Sequence, residues 1–171
     1  MTTPPSGYRR RNSLRHPCHD YTKAGAYFVT FCAHQGRSIF GQVIDRKMVL
    51  NPLGQIAEDA WQKFANRHAN VTVDVYVIMP NHVHVLLRLV QDPDIDNQDS
   101  TPKTRAFGDA IADSLSTLIG AYKSSVTQPA RRAGLAPGQP IWQRNFYDSI
   151  VRNEAGLQRI RDYIRANPVR W

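Results

Sequence analysis

The chain has 171 residues, with 22 Lys and Arg against 14 Asp and Glu, a formal net charge of +8 and a pI near 9.9. This length suits one domain with a sizeable core. A basic balance points to a polyanion, with nucleic acid first and an acidic membrane surface second. No stretch approaches the ~18 apolar residues of a membrane-spanning helix. No apolar segment follows the arginines near the start, as a secretory signal requires. Cys18 and Cys32 lie outside any CxxC pair, so a disulfide framework is excluded and reduced cytosolic thiols are expected.

Residues 1–22 are rich in Pro, Ser, Thr and Arg and show no hydrophobic period. A flexible basic arm is expected there, with Arg9, Arg10 and Arg11 available to a phosphate backbone, and a single domain over 23–171. Ala26 to Ala33 is aromatic and β-branched, which predicts a buried strand. Short extended pieces follow at Ile39–Val43 and Lys47–Leu50 around a turn at Asp45-Arg46. Asn51 and Pro52 have the chemistry of a helix N-cap and first position. Leu53, Ile56, Ala57, Ala60, Trp61 and Phe64 then keep one helical face to about His68. Val71–Met79 and His82–Leu89 read as two strands joined by a turn at Pro80-Asn81.

The polar stretch Gln91–Thr104 reads as a loop. A helix is predicted from Ala106 to about Val126, ended by Lys123-Ser124-Ser125, and a second loop from Pro129 to Pro140. Ile141–Tyr147 reads as extended. Asn153 caps a helix from Glu154 to about Ala166, which Asn167-Pro168 stops. The order β-(ββ)-α-β-β-α-β-α predicts an α+β fold. Its natural form is a ferredoxin-like or RRM-like antiparallel sheet with helices packed on one face, plus a C-terminal helix bearing Tyr163. The histidine strand would lie in or near the middle of that sheet.

His82 and His84 carry the chemistry of the middle of the chain. In a strand they point to one face while Val83 and Val85 point to the other. Two imidazoles on one face suit a divalent metal, although the pair alone fits two hydrogen-bonded core histidines equally well. On the last helix Arg159, Tyr163 and Asn167 lie close to one line, and Leu157, Ile160 and Ile164 form an adjoining apolar stripe. A tyrosine hydroxyl can attack a phosphodiester and become covalently linked to it. A phenol has an ordinary pKa of ~10, so it needs help at neutral pH. A metal held by His82, His84 and a third ligand, for which Asn167 is the candidate, would polarise the phosphate. Arg159 offers a guanidinium fork to a phosphate. Lys123, Arg144 and Arg152 are further DNA-binding candidates. Tyr147, beside Trp142 and Phe146, is a rival nucleophile, and Tyr122 a weaker one.

Four segments in order are Met79-Pro80-Asn81-His82-Val83-His84, Trp142–Tyr147, Ile150–Asn153 and Asp162–Pro168. Together they resemble the REP-associated branch of the single-tyrosine HUH, or IS200-like, transposases, over about Ala26 to Trp171. The resemblance implies a single-stranded DNA endonuclease and strand transferase. Tyr163 would be the nucleophile of a 5′-phosphotyrosine intermediate. His82, His84 and Asn167 would hold Mg²⁺ or Mn²⁺. The implied substrates are hairpin or palindromic DNA, including REP-like palindromes, and the implied location is the cytoplasm, at the nucleoid. The resemblance leaves both monomer and homodimer open and implies no membrane partner. The contrasting reading is a non-catalytic module that binds hairpin nucleic acid on the same fold.

Overall fold

The computed structural model describes residues 24–90, 114–136 and 138–171. The basic arm with Arg9, Arg10 and Arg11, the stretch Gln91–Thr104 and the predicted helix start at Ala106 lie outside the described residues. Among the described residues, six strands and three α-helices occur in chain order: β1 (Gly25–Cys32), β2 (Gly41–Ile44), β3 (Lys47–Leu50), α1 (Pro52–Phe64), β4 (Val71–Ile78), β5 (His82–Leu89), α2 (Leu115–Arg132), β6 (Tyr147–Val151) and α3 (Glu154–Arg165). β4, β5, β1 and β6 form one antiparallel sheet in that order. With the β2–β3 hairpin set aside, this is a βαββαβ chain with strand order 2-3-1-4, the ferredoxin-like arrangement. β5 is hydrogen-bonded on both sides, by β4 and by β1.

The layers follow from strand alternation. Tyr27, Val29 and Phe31 of β1 and Val83, Val85 and Leu87 of β5 are fully buried against α1 and α2. Trp61 stacks on Tyr122 at 3.8 Å between ring centroids, and the Tyr122 hydroxyl donates to the Ala57 carbonyl at 2.9 Å. Tyr122 is therefore a core residue whose hydroxyl is committed, and burial pushes its pKa up. That removes it as a rival nucleophile. The opposite face carries a smaller cluster of Leu86, Leu157 and Ile164, with Phe28, Val75, Val77 and Ile160 packed around it. There α3 covers the sheet with the stripe that the sequence marked out.

A β-bulge at Asp74 lets β4 serve both faces. Its register against β5 shifts between Val73 and Val75. The extra residue inverts the alternation, so Val71 and Val73 join the large core while Val75 and Val77 face α3.

Local chemistry sets the joints. The Asn51 side chain accepts from the Gly54 amide at 2.9 Å, so the predicted cap forms. Asp45 and Arg46 both take positive φ, 49° and 62°, the two-residue turn that matches strand twist. Asn153 caps α3 through the Gly156 amide at 2.8 Å.

Two boundaries differ from the sequence reading. α2 does not end at Ser124-Ser125 but runs through Pro129 to Arg132. The Ser125 and Thr127 hydroxyls donate to the Tyr122 and Lys123 carbonyls within the helix, and buried Val126 and Ala130 hold the last turns on the core. Ile141–Tyr147 is not the strand. It makes a single bridge, Ala33 to Trp142, and the paired strand begins where that reading ended, at Tyr147. No helix among the described residues is long and apolar enough to cross a membrane.

Candidate active site

The site lies on the α3 face of the sheet. β5 presents His82 and His84 there, side by side, with their Nε2 atoms 3.1 Å apart. Each ring is held from behind through Nδ1. The Asn81 side-chain oxygen lies 2.7 Å from Nδ1 of His82, and the Thr30 hydroxyl lies 2.7 Å from Nδ1 of His84. The Asn81 amide nitrogen donates to the Gly36 carbonyl, which fixes its oxygen toward the histidine. An amide oxygen only accepts, so Nδ1 of His82 carries the proton and its Nε2 is a lone pair. Thr30 can accept from His84 in the same way. Such outer partners orient ring nitrogens toward a metal.

Burial lowers the pKa of both histidines. That of His84 falls to about 3, through burial first and then the neighbouring His82. His82 is lowered by burial, opposed by the nearby Asn167 side chain, whose amide oxygen favours the protonated ring. Both rings are therefore neutral at pH 7, as ligation requires.

α3 brings Tyr163 to this pair. Its hydroxyl is 3.4 Å from Nε2 of His84 in the same chain, and the residue is 39% exposed. Phe28 of β1 supports both partners, lying 5.3 Å from the His84 ring and meeting the Tyr163 ring edge-on at 5.9 Å. Asn167 opens the 3₁₀ turn Asn167–Val169 that follows α3. It is 8% exposed, and its side chain stands close enough to His82 to act on the ring's pKa. Tyr163, His82, His84 and Asn167 are thus brought together. The Trp171 ring lies 5.8 Å from that of His82.

The basic candidates divide. Arg144, Arg152 and Arg159 are exposed and form no ion pair among the described residues. Lys123 is drawn inward: its ammonium donates to the Gln143 and Asn145 carbonyls at 2.9 and 3.0 Å, and burial lowers its pKa to about 8. Tyr147 is 55% exposed rather than part of an aromatic core. Phe31 and Phe40 pack on Trp142, whose indole donates to the Lys123 carbonyl.

Whether the donors suit a metal can be tested on this geometry. At about 2.1 Å from an ion, two nitrogens at right angles lie about 3 Å apart. The observed 3.1 Å matches. Among the described residues, no three His, Cys, Asp or Glu side chains gather as a metal site. The set here is two imidazoles and an amide, and it fits a divalent ion that keeps positions open for other oxygen ligands.

The chain is 29% identical over 170 residues to an uncharacterised Haemophilus influenzae protein, covering 97% of this chain and 92% of the relative. It is 26% identical over 165 residues to a second H. influenzae protein, named "Putative REP-associated tyrosine transposase", covering 96% and 77%. It superposes on a solved REP-associated tyrosine transposase bound to a REP hairpin with a TM-score of 0.60 and 22% identity, covering 91% of this chain and 73% of that one. The fold is similar to that of a REP-associated tyrosine transposase. No family model matches the chain.

Several contributors were not singled out by sequence. Thr30 is a polar residue in an otherwise apolar strand, and its alternation places it with Phe28. Its partner is fixed only by the β1–β5 register, which sets Thr30 opposite His84. Asn81 stood in the recognised turn, but its role needed the turn's geometry. Asp74 and Arg161 are an acid inside a strand and a base on a helix, and nothing local pairs them.

Proposed function

We propose that the chain is a metal-dependent endonuclease and strand transferase for single-stranded DNA, acting on hairpin or palindromic substrates with Tyr163 as nucleophile. The 3.4 Å approach of the Tyr163 hydroxyl to a neutral, back-bonded histidine pair carries this reading. The similarity to a transposase solved with a REP hairpin supports the class of substrate.

In this reading the Tyr163 oxygen bonds to the phosphorus of the scissile phosphodiester and the bond to the 3′-oxygen breaks. The products are a 5′-phosphotyrosine and a free 3′-hydroxyl. The phenol loses one proton and the departing oxygen gains one. His82, His84 and Asn167 would hold Mg²⁺ or Mn²⁺, which supplies Lewis-acid polarisation of a phosphoryl oxygen. All three donors are neutral, so none offsets the positive charge offered to the phosphate. Exposed Arg144, Arg152 and Arg159 bind the backbone, joined by Arg9, Arg10 and Arg11. The enzyme works on the nucleoid in the cytoplasm, as one domain over residues 23–171. In this reading Tyr163 acts at the histidine pair that it approaches.

Incubation with a labelled hairpin oligonucleotide and Mg²⁺ tests this. A covalent adduct that survives denaturation is expected from the wild type and not from Tyr163→Phe. Unchanged adduct in Tyr163→Phe overturns the assignment and leaves exposed Tyr147 as the next nucleophile to test. Salt-sensitive binding with no adduct from the wild type identifies a binding module without this chemistry.

A further inference from the structure

α3 is attached to the sheet by little apolar surface, since its buried residues are Leu157 and Ile164, with the partly buried Ile160 beside them. What complements them is polar. Arg161 donates to Asp74 through two nitrogens, Nε to Oδ1 at 3.0 Å and Nη2 to Oδ2 at 2.8 Å. Its third nitrogen, Nη1, donates to Glu154 at 2.9 Å. Arg88 of β5 adds a bond to Asp74 Oδ2 at 3.2 Å. A forked guanidinium–carboxylate pair fixes orientation as well as distance. Arg161 and Tyr163 are two residues apart on the same helix, so the rotation that Asp74 sets is the rotation that places the Tyr163 hydroxyl.

The bulge gives this contact a second side. The residue that it inserts into β4 is Asp74 itself. The same insertion turns Val75 and Val77 toward α3. One local irregularity therefore supplies both the apolar landing patch and the carboxylate that orients the helix on it. Bulges that re-aim a side chain are features of function rather than defects.

We propose that Asp74 is a positioning residue: through the Arg161 fork it locks α3 on the sheet at the rotation that brings Tyr163 to His84. This rests on the reading of Tyr163 as the nucleophile, but its docking role can be measured without the reaction. Asp74→Asn keeps the shape and loses the charge. Arg161→Lys keeps the charge and loses the fork, and it provides a second variant should the first fail to fold.

Two readouts on the full chain decide the matter. Amide hydrogen exchange in α3 is expected to accelerate at least tenfold in both variants, with β1 and β5 amides unchanged. The rate of adduct formation on the hairpin oligonucleotide is expected to fall at least tenfold, with hairpin affinity within twofold of wild type. Unchanged α3 exchange overturns the lock. Faster exchange with an undiminished adduct rate overturns the positioning role. Should the wild type itself form no adduct, the reaction assigned to Tyr163 fails, and the exchange data still decide whether Asp74 docks the helix.

Discussion

Thr30 illustrates how one hydroxyl can govern a site from beneath it. It lies behind His84, 2.7 Å from Nδ1, and by accepting from that nitrogen it turns Nε2 toward the site as an acceptor. Thr30→Val preserves shape and removes that partner. The expected result is roughly 10–100-fold weaker Mn²⁺ binding, measured by calorimetry or electron paramagnetic resonance, with little change in fold. His84 itself carries a pH signature. Burial holds its folded pKa at about 3, below the 6.5 of a free imidazole. The unfolded chain therefore takes up a proton that the native chain refuses. This contribution to stability is full above pH 6.5 and is lost as pH falls toward 3. Thermal midpoints measured in EDTA should fall with acidity more steeply for wild type than for His84→Asn. Equal slopes would show that His84 protonates in the native fold. The strand period put His82 and His84 on one face, and the helix period put Tyr163 beside the apolar stripe; Asn167 lies past the end of that helix, in the 3₁₀ turn. Thr30 was not legible in the sequence, since only the register of two strands, 54 residues apart at this contact, joins it to His84.

At the scale of elements, two helix glycines separate propensity from packing. Gly120 of α2 has nothing within 4 Å of an added Cβ. Gly120→Ala should stabilise by about 1 kcal/mol, the ordinary helix preference. Gly54 of α1 is the opposite case. A Cβ there would stand 2.1 Å from the Phe40 carbonyl and 2.9 Å from Leu50 Cδ2. The carbonyl is backbone and cannot swing aside, so Gly54→Ala should lower the thermal midpoint while Gly120→Ala raises it. The same contest explains where the sequence reading of elements stopped short. Asn51-Pro52 and Asn153 carry their capping chemistry locally, and both helix starts were legible. The end of α2 was not. Ser124-Ser125 and Pro129 read as breakers, but the hydroxyl of Ser125 bonds within the helix and the buried Ala130 lies beyond the proline. Tertiary burial outweighed local preference there. β6 was displaced for a related reason: its residues alternate only weakly, and β1 chose its register.

For the whole molecule, the charge of +8 predicts how it meets its substrate. Hairpin binding should weaken linearly in log Kd against log salt, with a slope set by the phosphates neutralised. Arg159→Gln and Arg152→Gln should each weaken binding across different hairpins and reduce that slope by about 1, as read by fluorescence anisotropy. A Lys123→Gln change should act differently. Its ammonium is bound to the Gln143 and Asn145 carbonyls, so the loss should appear in thermal stability rather than in the salt slope. The ferredoxin-like order was legible because the alternation of element types is strong along the chain. The placement of α3 on the face opposite α1 and α2 depended on Asp74, a single inserted residue whose effect on alternation appears only when β4 is paired.

The β5 strand answers to two demands at alternate positions. Val83, Val85, Leu87 and Leu89 belong to the large core, while His82, His84 and Leu86 face the other way. Substitutions at neighbouring positions should therefore fail for different reasons. A substitution at an odd position lowers the amount of folded protein. If the proposed function holds, one at His82 or His84 should cost adduct formation more than it costs folded protein. A saturation scan read for abundance and for adduct formation should show these two losses alternating from His82 to Val85, and loss of abundance again at the buried Leu86.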